Sequence, residues 1–165
     1  MFKNIFLLFL IGILSSSSFS QTDYSELKKF KIKKKSCKEC EEKVLEVSNF
    51  LLDEPVDITL KKINGGEFIF KWMSKTSDYT FQIDDFGVSV SENNKLFINV
   101  YFAALIKATL DNKPLKGDVG AIKLETAKLL VDYISQKNNN IIIDDYIKGL
   151  LEANAEGKLE KYINN

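Results

Sequence analysis

Apolar positions recur on a helical period through much of this chain. Val44, Leu45, Val47, Phe50, Leu51 and Leu52 share one broad helical face with charged residues opposite, which predicts a helix over residues 37–53. Ser36, followed three residues later by Glu39, has the spacing of a capping box at its start, and Pro55 ends it. Residues 96–110 (LFINVYFAALIKATL) are apolar on nearly every side, as in a buried helix, with the Asn93-Asn94 start signal before them and Pro114 beyond. Residues 118–136 repeat the amphipathic pattern, with Ile122, Leu129, Leu130, Tyr133 and Ile134 inward. Asn138, Asn139 and Asn140 predict a loop. Asp144 or Asp145 then caps a helix carrying Ile147, Leu150 and Leu151, Gly157 breaks it, and KLEKYI makes a last turn or two.

The stretch DITLKKINGGEFIFKWMSKTSDYTFQID is ambiguous. A period of two makes it a hairpin turning at Asn64-Gly65, with Phe68, Phe70 and Trp72 on one face and Tyr79, Phe81 and Ile83 continuing the sheet. A period of 3.6 aligns Ile63, Ile69, Phe70 and Met73 as a helical stripe weakened by Gly65-Gly66. The expected fold is mainly α. It has about five to six helices packed as antiparallel hairpins and a short extended segment near residues 79–90. The alternative is an α+β fold with an antiparallel hairpin or meander at residues 56–91.

The N-terminal residues change the picture of where this domain works. Lys3 precedes an apolar run over residues 5–14, small residues follow at 15–18, and Ser18-Phe19-Ser20 stands before Gln21. That is the layout of a secretory signal peptide over residues 1–20. Its apolar run is shorter than the ~20 residues that span a bilayer. Export to the periplasm or beyond is the expectation, with no membrane span once the signal is removed. Residues 21–35 hold most of a lysine-rich run and are expected as a flexible, solvated arm. Residues 36–165 form the single globular domain.

Charge is balanced at 23 basic and 23 acidic residues, which gives no net basic face for nucleic acid. The chain has no histidine, and every basic residue is lysine. Catalytic units built on histidine are thereby excluded, as are histidine-ligated haem, zincin motifs and bidentate arginine clamps.

The segments FIFKWMSKTSDYTF, VYFAALIKATLDN, AIKLETAKLLVDYI and EGKLEKYI, in that order, resemble a family of small secreted proteins of Bacteroidota-type bacteria. The resemblance covers most of the chain after residue 20. It implies a helical FIFKWM, since similar sequences carry helix formers where this chain has Gly65-Gly66. It carries no established activity and therefore no site residues.

Cys37 and Cys40 are the only cysteines, spaced C-x-x-C. At a helix start, free N–H groups and Lys35 and Lys38 would stabilise a thiolate, which makes the two a candidate redox pair. The preceding FKIKKKS is too charged for the buried strand that a thioredoxin motif follows. Zinc would need four ligands, and Glu41 stands where a c-type haem needs histidine. After export a disulfide between Cys37 and Cys40 is the expected state. No cofactor or metal is expected.

Asp85-Phe86-Gly87 spells a kinase triplet without the accompanying kinase motifs. The pairs Asp84-Asp85 and Asp144-Asp145 are explained by helix capping more readily than by glycoside chemistry. Phe68, Phe70, Trp72, Tyr79 and Phe81 form an aromatic cluster that either lines a ligand groove or fills the core. The expected function is a non-catalytic binding or interaction module for a protein or small ligand. The alternatives are a thiol–disulfide redox protein and a periplasmic immunity-type inhibitor.

Overall fold

Helix α5 (Phe97–Asp111) is the element around which the chain is arranged. Eleven of its fifteen residues are buried, from Phe97 through Leu110, so it must be enclosed on nearly every side. The computed structural model describes residues 24–33 and 36–165. Around α5 pack α2 (Glu41–Asp53), α3 (Leu60–Met73), α4 (Asp85–Ser91) and α6 (Val119–Ser135). Helix α7 (Asp145–Ala155) packs on α4, α6 and α8 (Leu159–Ile163), and a short α1 (Tyr24–Leu27) lies on α3. Among the described residues eight α-helices make one single-domain bundle and no strand occurs. Consecutive helices do pair, as α2 with α3 and α5 with α6, but the main partner of α2 is α5. The signal-peptide expectation for residues 1–20 lies outside the described residues.

The hairpin alternative at 56–91 does not form. Thr59 caps α3 by accepting a hydrogen bond from the Lys62 amide at 3.4 Å, and the helix runs unbroken through Asn64, Gly65 and Gly66. The two glycines serve packing rather than a turn. A Cβ on Gly65 would stand 3.3 Å from Val47 of α2, and one on Gly66 would stand 2.7 Å from the Asn99 side chain of α5. The extended segment is also shorter than expected. Residues 79–84 carry no regular structure, but 85–91 are α4, started by the Asp84 carboxylate accepting from the Gly87 amide at 3.0 Å.

The lysine-rich arm is a strap from residue 24 to residue 33. Tyr24, Leu27 and Ile32 are buried there. Asn64 donates to the Tyr24 carbonyl at 3.0 Å, Lys71 to Phe30 at 3.1 Å and Lys75 to Ile32 at 3.0 Å. Apolar side chains spaced among the lysines supply the burial that outweighs the ordering entropy of this segment.

In the loop after α6, Asn138 and Asn140 adopt positive φ of 67° and 59°. Asn139, buried between them, donates to the Tyr133 and Ile134 carbonyls and closes α6. Asp144 caps α7 through the Ile147 amide at 2.9 Å. Asn94 braces this loop through both Ile142 backbone groups rather than capping α5. Among the described residues no helix is long and apolar enough to cross a membrane.

Candidate functional site

Cys37 precedes and Cys40 ends a 3₁₀ turn (Lys38–Cys40) ahead of α2, not the first turn of the α-helix itself. Ser36 turns back to the Lys33 carbonyl at 3.1 Å, so the expected capping box is not made. Both cysteines are buried free thiols, and the expected disulfide is not formed. The Cys37 thiol instead donates to the Lys33 carbonyl at 3.4 Å. Burial raises the Cys37 pKa, Asp78 adds to the rise, and Lys75 opposes it. Burial raises Cys40 too, with Cys37 and Glu39 adding to it. The environment is the reverse of one that activates a thiolate. The Cys37 carbonyl accepts the Trp72 indole N–H at 2.9 Å, which locks the turn onto the core.

The aromatic cluster divides. Phe68 and Trp72 are core residues, at 2% and 0% exposure. Phe70 lies on the outer face of α3 against Phe102, ring centroids 5.8 Å apart, and is 55% exposed. Tyr79 and Phe81 stack on Trp72 at 6.0 and 5.7 Å and present their other sides to a cavity.

This cavity, about 270 Å³, lies between the irregular segment 78–82, α4, α5 and the first half of α6. Phe81, Phe86, Leu105 and Ile122 supply apolar wall. The positions follow helical spacing, with Tyr101, Leu105 and Thr109 on one face of α5 and Val119, Ile122 and Thr126 on one face of α6. Thr109 and Thr126 donate their hydroxyl hydrogens to the carbonyls of Leu105 and Ile122, at 2.7 and 2.8 Å.

One end of the cavity is polar and tightly built. Asp84 accepts from the Gly87 amide, from the Tyr101 hydroxyl at 3.2 Å and from Lys123, whose Nζ lies 3.0 Å away. Burial acts to raise the Asp84 pKa, but the Gly87 N–H, Lys123 and the Tyr101 hydroxyl outweigh it and hold the carboxyl below its ordinary value. Tyr101 is pushed the other way, first by burial and then by the Asp84 charge. Gly87 is required for this arrangement, since a Cβ there would stand 2.6 Å from the Tyr101 ring. The kinase-like triplet is therefore a helix start, with Phe86 in the core and Gly87 making room for Tyr101.

A second network holds the outer wall. Tyr79 donates to Glu41 at 3.2 Å, and Glu41 pairs with Lys113 at 2.9 Å. Lys116 lies over the Tyr79 ring, 5.1 Å from its centroid. The rim carries exposed Asp78, Thr80, Gln82 and Asp118, and also Val119, an apolar side chain 75% exposed.

No protein-family model, curated protein or solved structure matches this chain. The cavity is therefore read from its own chemistry. Among the described residues no group of three or more cysteine, aspartate or glutamate side chains could hold a metal. Of its lining, the sequence pointed to Tyr79, Phe81 and Asp84. Ile122 was marked as an inward position of its helix, whereas Tyr101, Leu105 and Thr109 on α5, Lys123 and Thr126 on α6, and Lys116 in the loop between these helices carried no signal of a shared cavity.

Proposed function

We propose that this protein is an exported, non-catalytic binding module that holds a small, largely apolar molecule in the cavity between segment 78–82, α4, α5 and α6. The observation that carries this reading is the cavity itself, about 270 Å³ with apolar wall and a fixed polar end. An engineered apolar cavity of ~150 Å³ is large enough for benzene, so this one has room for a substituted ring or a short branched chain. The signal-like residues 1–20 and the absence of histidine and arginine support the exported and non-catalytic parts. The raised thiol pKa values of Cys37 and Cys40 count against the redox alternative.

Trp72, the single tryptophan, sits directly behind Tyr79 and Phe81 and reports on the cavity from within the core. Titration with toluene or indane should change its emission and raise Tm, because a ligand bound only by the folded state stabilises it. Leu105→Phe, which fills the cavity from α5, should abolish both responses while circular dichroism stays helical. Equal responses in Leu105→Phe and wild type would place binding elsewhere and remove this reading.

A further inference from the structure

Away from the exposed rim, where Thr80 and Gln82 stand, the hydroxyls of the cavity wall have their hydrogens already committed. Tyr101 gives its hydroxyl hydrogen to Asp84, Thr109 to the Leu105 carbonyl and Thr126 to the Ile122 carbonyl. Each hydroxyl has one hydrogen to give, so toward an occupant each can only accept. Asp84, the carboxylate in the wall, is likewise an acceptor. The charge at this end is internally neutralised, because Asp84 and Lys123 are paired at 3.0 Å. An ion entering this end would leave water without a counter-charge free to receive it there, which is costly; the carboxylates of Asp78 and Asp118 stand at the exposed rim. Lys116, the other cation, lies at the exposed rim over the Tyr79 ring.

We infer that the occupant is an uncharged, compact apolar molecule bearing one hydrogen-bond donor, a hydroxyl or an N–H, which points at the acceptors of Tyr101, Thr109, Thr126 and Asp84. This inference rests on the cavity being a binding site and adds the chemical class of what it takes. An acceptor-only molecule of equal size would bring a second acceptor against these oxygens with no hydrogen between them. A carboxylate would meet Asp84 and lose the solvation of its charge.

Four titrations of the wild-type protein test it, read by calorimetry and by Trp72 emission. The probes are 4-ethylphenol, its isomer 4-methylanisole, 4-methylbenzoate and 4-methylbenzylammonium. The first two have the same formula and nearly the same size, but the phenol oxygen carries a hydrogen where the anisole oxygen carries one of the carbons. We expect 4-ethylphenol to bind roughly three- to tenfold tighter than 4-methylanisole, the range one net hydrogen bond gives. Both charged probes should bind more weakly than 4-ethylphenol. Equal or tighter binding of the anisole, or preference for the carboxylate or the ammonium, would overturn the assignment of a neutral donor while leaving the cavity a binding site. No binding by any of the four would overturn both readings.

Discussion

Asp84 shows how much a single side chain does here. It starts α4, fixes the Tyr101 hydroxyl and holds Lys123 against the cavity. Its pKa is lowered in the folded state from the ordinary 3.8. Its stabilising contribution is therefore complete above about pH 4 and is lost as pH falls through the folded value. Asp84→Asn should flatten the acid limb of a stability–pH profile measured by urea unfolding, and a variant with the wild-type slope would show that the charge is unimportant. Gly87→Ala gives a second check. Alanine gains ~1 kcal/mol of helix propensity, but its Cβ would stand 2.6 Å from the rigid, anchored Tyr101 ring. Overpacking of this kind costs about 1–3 kcal/mol, so the net change in urea unfolding should be destabilising. Stabilisation would mean that α4 is not pressed against Tyr101.

At the scale of elements, the pattern identified the long helices because period and caps agreed. Residues 96–110 and 118–136 were expected and α5 and α6 lie within a residue or so of them. Asp84 and Asp144 cap as their type predicts. The exceptions have physical reasons. The hairpin alternative with its turn at Asn64-Gly65 stayed open because the demand for close packing of Gly65 and Gly66 against Val47 and Asn99 is visible only once α2 and α5 are in place. Residues 24–33 looked like a solvated arm because lysines dominate them, although Tyr24, Leu27, Phe30 and Ile32 carry the contact. Ile32→Ala separates strap from arm. A buried isoleucine truncation costs about 2–5 kcal/mol, whereas a residue in a free arm would cost nothing measurable in thermal or urea unfolding. The turn at Cys37 and Cys40 is expected from sequence as a disulfide, with a thiolate pair the alternative its lysines suggest, yet both thiols are free and burial decides their chemistry. Both thiols should react with Ellman's reagent at least ~100-fold more slowly in the native protein than in denaturant. Rapid native labelling would revive a redox role.

Over the whole molecule, all six tyrosines have raised pKa values, with burial the leading cause in each. Tyr24, Tyr133 and Tyr146 are pushed up to about 12. The unfolded chain ionises near 10, so the folded state loses stability as pH rises beyond that value. Tyrosinate absorbance should therefore lag in the native protein and appear together with unfolding. A native titration centred near pH 10 would contradict the packing described. The fold class was legible in the sequence because helical periodicity is local. The cavity was not, because its walls come from residues 78–126 and meet only in three dimensions.

That cavity is the central claim, and backbone amide chemical-shift mapping tests it most directly. On titration with 4-ethylphenol, the shifts should concentrate on residues 79–82, on Tyr101, Leu105 and Thr109, and on Ile122, Lys123 and Thr126. Shifts confined to another surface, or no shifts with the protein folded, would contradict it.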